Sequence, residues 1–232
     1  MKIVLLPGLD GTGTLYQSLQ IALTPYHQLQ VVAYPLDQLW GYNELLAFIK
    51  PQLPKEPFVL IAESFSGPLG IMLAATAQPL LKGLVLCCTF ASNPLPAARG
   101  LVRLVDRIPW NEPVHHWTLQ WLEGRFAKPE LSDLLRQALS MVPEQTIKYR
   151  AKQVLQVNVQ SQFEQLTLPV MYLQAKQDRL IWRFNARNLQ RAQPKMRLVV
   201  LDAPHFLLQA APEIAATALC DFVDSLQSPG QN

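Results

Sequence analysis

A serine hydroxyl becomes a useful nucleophile only with a base within hydrogen-bond reach and a third group to hold that base. Within these 232 residues, Ser64 is the first candidate, at the point in PFVLIAESFSGPLG where a short apolar run stops and a helix-like pattern begins. A serine in so sharp a bend has its hydroxyl pushed out of the packed layer, so backbone strain and exposure of the nucleophile share one cause. Pro68, in the first turn of the expected helix, lacks an N–H that would have no partner there, which supports a helix starting just after Ser64. That helix end supplies backbone N–H groups and partial positive charge beside the hydroxyl, as an oxyanion requires. The same local sequence also suits a serine that only caps a helix.

Four histidines are available as the base. His27 falls in a polar turn, and His115 and His116 fall in a helical stretch; each suits a surface or packing role. His205, in LDAPHFLLQAAPE, follows the last apolar run and precedes the C-terminal helix pattern. For the acid, Asp178 follows the preceding run in LQAKQDRLI, and Asp202 competes from three residues before His205. A side chain that near along one loop is poorly placed to reach the far ring nitrogen, so Asp178 is favoured.

These residues are useful only if the scaffold brings them to one place. The segments 3–6, 29–34, 58–62, 83–88, 170–174 and 196–201 are apolar without alternation, as strands covered on both faces should be. Helix-period stretches at 16–23, 43–53, 65–78, 182–191 and 210–226 lie between or after them. The βαβα order implies an α/β fold with a doubly wound, mostly parallel sheet of about six strands, whose ligands bind at the carboxyl ends of the strands. The order breaks once: 92–166 has no convincing strand but carries apolar stripes such as Leu101, Leu104, Val105 and Ile108. An all-helical insertion must cover an end of the sheet, and it is read as a cap over a core of 1–91 and 167–226, with 227–232 a frayed tail.

With the order Ser64, Asp178, His205 at one edge of such a sheet, the chain resembles the α/β-hydrolase superfamily from Ile3 to about Leu226. The resemblance implies Ser64 as nucleophile, His205 as general base and Asp178 as orienting acid. It makes LLPGLDGTG the oxyanion loop, with the backbone N–H of Leu9 and of Phe65 as donors and Asp10 as the alternative if the loop is shifted by one. The chain departs from the pattern in three ways. Ala62 and Ser66 replace the flanking glycines of Gly-x-Ser-x-Gly, Pro204 replaces the glycine usual before the histidine, and the family's two leading strands are expected to be missing. LPGLDGTG with ESFSG also resembles the opening loop and elbow of phytyl ester synthase-like acyltransferases.

The implied activity is cleavage of a carboxylic ester or thioester through an acyl-enzyme on Ser64, without a cofactor or metal. The alternatives are acyl transfer to an alcohol and a non-catalytic ligand-binding protein of the same fold. Gly8, Gly11 and Gly13, with Asp37 further on, superficially suggest a dinucleotide site, but the spacing is G-x-x-G-x-G and the glycines are not where a pyrophosphate needs them. Trp110, Trp117, Trp121 and Phe126 give the insertion an aromatic character suited to an apolar acyl or alcohol group, or to packing on the sheet. Arg99, Arg103, Arg107 and Arg125 are available to a substrate anion and equally suit a solvated face.

Composition bounds the rest. With 50% hydrophobic and 16% charged residues, one large core is expected, and a net charge of +3 with scattered basic residues leaves no footprint for nucleic acid. Three cysteines, two of them adjacent, make neither a disulfide framework nor a metal-ligand spacing, which suits a reducing cytoplasm. The first apolar run is too short for a signal peptide, and no segment reaches the roughly 18 apolar residues of a membrane span. The expected partner is a small ester or thioester.

Overall fold

The six apolar runs form six strands: β1 (Lys2–Leu6), β2 (Leu29–Val31), β3 (Phe58–Glu63), β4 (Leu81–Cys87), β5 (Val170–Ala175) and β6 (Arg197–Leu201). This computed structural model describes residues 1–76, 78–109 and 112–227. Trp110 and the tail 228–232 lie outside the described residues, as do the side chains of Arg99, His115 and His116. The strands pair in parallel in the order β2-β1-β3-β4-β5-β6.

The central runs do not alternate because β1, β3, β4 and β5 are each covered twice. Ile3, Leu5, Val59, Ile61 and Val85 face one core with Leu19 and Leu23 of α1 (Gln17–Leu23) and Leu219 and Phe222 of α10 (Pro212–Gln227). Val4, Leu6, Leu60, Ala62 and Leu84 face the other. There they meet α2 (Tyr42–Ile49), α3 (Gly67–Ala75) and α8 (Arg183–Ala192). Burying both faces of the central strands is what a parallel sheet needs, and the edge strands β2 and β6 are only partly buried.

Between β4 and β5 come a 3₁₀ run (Pro96–Arg107), then α4 (Glu112–Glu123), α5 (Pro129–Ser140), α6 (Glu144–Gln156) and α7 (Gln160–Glu164). One antiparallel bridge, Ser92 to Asn158, draws the ends of this insertion together.

Several boundaries differ from expectation, three of them around the site. β2 stops at Val31 and so does not reach Asp37, because beyond it the Tyr34 N–H bonds the Gly11 carbonyl at 2.8 Å, turning the chain over the loop after β1. α3 does not begin at residue 65: a 3₁₀ turn, Ser64–Ser66, comes first, since the positive φ of 49° at Ser64 cannot start an α-helix. The C-terminal helix α10 begins at Pro212 rather than 210 and is preceded by a short α9 (Leu207–Ala210), with Ala211 at φ −141° between them because the ring of Pro212 disfavours helical backbone in the residue before it.

The chain leaves β1 for β2 on one side and returns past β1 to β3 on the other. The carboxyl ends of β1 and β3 are therefore the switch point of the sheet, where open α/β sheets form their crevice.

Candidate active site

Ser64 leaves β3 at that switch point with its backbone in the left-handed region. Several contacts hold it there. Thr89 Oγ1, just beyond β4, donates to the Ser64 carbonyl. Gly67 is forced by this packing, because a Cβ there would lie 1.9 Å from Thr89 Oγ1. Ser66 takes the place of the family's second glycine and uses its hydroxyl, donating to the Pro7 carbonyl. Since that spends the single proton of Ser66, the Tyr34 hydroxyl is the donor in the 2.5 Å contact between the two. The turn after β3 is thus fastened to the loop after β1.

The side chains of Ser64, His205 and Asp178 lie in one hydrogen-bonded line. Ser64 Oγ is 2.9 Å from His205 Nε2, and His205 Nδ1 is 2.9 Å from Asp178 Oδ2. The other Asp178 oxygen accepts the N–H groups of Leu180 and Ile181, both at 2.8 Å, which locks the carboxylate toward the histidine. Asp202 is on the surface instead, paired with Arg125. Burial lowers the His205 pKa, but the Asp178 carboxylate, acting both through space and through the hydrogen bond, and Glu63 outweigh it, so the pKa lies above the usual 6.5.

The loop after β1 approaches closely. A Cβ on Gly8 would be 4.0 Å from Ser64 Cβ, and Gly11 N–H closes a turn on the Gly8 carbonyl at 3.1 Å. Leu9 and Asp10, at the centre of that turn, line the cavity beside Ser64. The Asp10 carboxylate accepts the Thr12 N–H at 2.9 Å and the Thr12 hydroxyl at 2.5 Å, so it braces its own loop. Phe65 buries its ring against Tyr42, stacked at 4.9 Å, leaving its backbone beside Ser64. The glycine loop is filled from behind: a Cβ on Gly11 would lie 2.5 Å from Arg150 Nη1, where the dinucleotide reading would need room.

Over Ser64 lies a cavity of about 330 Å³ between the sheet and the insertion. Its walls are aliphatic, with Leu119 and Leu122 from α4, Leu135 and Leu139 from α5, and Leu180. Trp117 and Trp121 do not line it. They stand exposed on another face of α4, where Trp121 carries the Arg179 guanidinium 5.8 Å above its ring. The floor is polar, with Asp10, Glu63 and Gln209 around Ser64 and His205. Among the described residues, no lysine or arginine lines the cavity.

Glu63, immediately before Ser64, is absent from the sequence-based candidates, although a charged residue ending an apolar run is itself a signal. It is buried, accepts from the Tyr16 hydroxyl, and accepts from Gln209 Nε2 at 3.2 Å. Burial pushes its pKa up to about 7, with the Tyr16 and Gln209 hydrogen bonds pulling the other way. Among the described residues, no cluster of three or more histidine, cysteine, aspartate or glutamate side chains is placed to hold a metal, and no helix is long and apolar enough to cross a membrane. The three cysteines are free.

Residues 22–210 match the family described as the alpha/beta hydrolase fold. The chain belongs to this family. No curated protein matches its sequence. Solved structures share the fold at low identity. The enol-lactonase from Burkholderia xenovorans LB400 has TM-score 0.80 and 15% identity over 96% of this chain and 91% of that one. MenH from S. aureus has 0.79 and 14% over 98% and 95%, and a malate-bound thermophilic esterase from Thermogutta terrifontis has 0.79 and 19% over 98% and 91%. Family and neighbours together support a hydrolase.

Proposed function

We propose that this member of the alpha/beta hydrolase fold family cleaves a carboxylic ester or thioester through an acyl-enzyme on Ser64. The observation that carries the reading is the buried line from Ser64 Oγ through His205 to Asp178 at the floor of an aliphatic cavity. His205 Nε2 takes the Ser64 proton as Oγ bonds to the acyl carbon, while Asp178 keeps the other ring proton on Nδ1 and steadies the imidazolium. The backbone N–H groups of Leu9 and Phe65 hold the oxyanion. His205 then protonates the departing alcohol or thiol, and water, activated by the same histidine, releases the acid.

The insertion, 92–166, acts as a cap whose leucines surround the acyl group. A cavity of about 330 Å³ stands at the small end of ligand sites, which suits a short or medium chain. With Asp10 and Glu63 on its floor and no cation in its described lining, it suits an uncharged substrate. Hydrolysis of p-nitrophenyl esters from acetate to palmitate, with acyl-CoA thioesters and an added alcohol in parallel, tests this. Turnover is expected to peak between butyrate and octanoate, with free acid as product. Ester formation with the alcohol would favour the acyltransferase, and no turnover of any substrate would overturn the proposal.

A further inference from the structure

Arg150 stands on α6, within the insertion, and is fully buried. Its guanidinium is spent on backbone: Nη1 donates to the carbonyls of Leu9 at 3.0 Å and Asp10 at 2.8 Å, and Nη2 to that of Pro35 at 2.9 Å. The Tyr34 ring lies 5.6 Å from it, and Nε has no hydrogen-bond partner. Burying a cation whose hydrogen bonds all go to carbonyls is costly, and an apolar side chain would fill this face of α6, shared with Thr146 and Ile147, without that cost. The arginine therefore does something for the residues it grips.

Those residues are the centre of the turn beside Ser64. Gly11 N–H holds the Gly8 carbonyl inward, and Arg150 holds the carbonyls of Leu9 and Asp10. Because each peptide unit is planar and trans, fixing its carbonyl fixes the direction of its N–H on the opposite side. The peptide of the Gly8 carbonyl carries the Leu9 N–H, and the peptide of the Asp10 carbonyl carries the Gly11 N–H that holds the Gly8 carbonyl, so the grip of Arg150 reaches the Leu9 N–H through Gly11. Gly11 is the matching half of the arrangement: at φ +70°, and without a Cβ, it leaves the space that Nη1 occupies.

We propose that Arg150 is a positioning residue for the oxyanion hole, setting the Leu9 N–H by gripping the turn, so that the seating of an insertion helix tunes catalysis at the sheet. This rests on Ser64 being the acyl-accepting nucleophile. It assigns to the insertion a part in the chemistry as well as in covering the substrate. A lysine at 150 keeps the charge but cannot span three carbonyls with one ammonium.

The test compares Arg150→Gln, Arg150→Lys and Gly11→Ala with wild type, turnover being expressed per serine titrated to completion with a fluorophosphonate. In Arg150→Gln, kcat per titrated site is expected to fall roughly 10²-fold, with a smaller fall in Arg150→Lys and KM for a p-nitrophenyl ester near the wild-type value. Affinity for an alkyl trifluoromethyl ketone, which forms a tetrahedral adduct, should fall in step with kcat. Gly11→Ala leaves the arginine present but denies it its seat, and it must show the same split; it carries the test if the Arg150 variants do not fold. Fewer titratable sites and a lower Tm with kcat per site unchanged would overturn the proposal. A wild type that takes up no fluorophosphonate would instead remove the nucleophile reading on which it rests.

Discussion

The Tyr16 hydroxyl donates to Glu63 Oε2 and accepts the Gly8 N–H at 3.2 Å, so one buried phenol joins the residue before Ser64 to the loop after β1. Glu63 makes this link sensitive to pH. Its carboxyl holds a proton up to about pH 7 in the folded chain, against 4.5 for an ordinary glutamate, so folding takes up a proton between those values. Its stabilising contribution is complete below pH 4.5 and is lost as pH rises through about 7. At about 1.4 kcal/mol per pH unit, that loss is roughly 3 kcal/mol. Urea unfolding across this range should show wild type losing that much more stability than Glu63→Gln, and parallel curves would contradict it.

His205 has to be neutral to take the Ser64 proton. Its pKa is raised, so the imidazolium persists to higher pH than in a free histidine, and kcat/KM should fall as pH drops through a midpoint above 6.5. Since Glu63 contributes to the rise, Glu63→Gln should move that midpoint downward. A pH–rate profile with a midpoint below 6.5 in wild type would count against this environment.

The two candidate acids have opposite surroundings. Asp178 is buried on His205 Nδ1, whereas Asp202 pairs with Arg125 at the surface. Asp178→Asn should lower kcat by about 10⁴-fold, because the histidine loses the partner that sets its tautomer. Asp202→Asn should leave kcat close to wild type. The reverse pattern would reassign the acid.

Ser66→Ala should destabilise the fold by about 1–3 kcal/mol, since it strands the buried Pro7 carbonyl and Tyr34 hydroxyl that Ser66 now serves. An unchanged urea midpoint would show that the two groups find other partners.

The sheet was legible because a strand covered on both faces must read as an unbroken apolar run, as Phe58 to Ala62 does. Helix type was not. Leu101, Leu104, Val105 and Ile108 suit a helical stripe, yet the first three fall in a 3₁₀ run and Ile108 just past its end, with Leu104 and Ile108 exposed, and over two turns apolar spacing does not separate the two helices. Ser64, Asp178 and His205 could be placed at one edge from strand order alone. Trp117 and Trp121 stand out by residue type, but the phase of α4 turns Leu119 and Leu122 to the cavity, and that phase goes with its packing against α5. Glu63 and Gln209 fall just outside the apolar run 58–62 and the helix pattern 210–226, and Arg150 falls in a part of the insertion without a clear apolar stripe, so the apolar patterns do not point to them. Arg150 shares the buried face of α6 with Ile147, which was the available signal.

The most direct measurement of the central claim is intact-mass spectrometry after reaction with a fluorophosphonate, followed by peptide mapping and assay of the same sample. One adduct per chain on Ser64, loss of p-nitrophenyl ester turnover in proportion to it, and no adduct or turnover in Ser64→Ala are predicted. An adduct on another residue, or full turnover by Ser64→Ala, would contradict the assignment of Ser64 as the nucleophile.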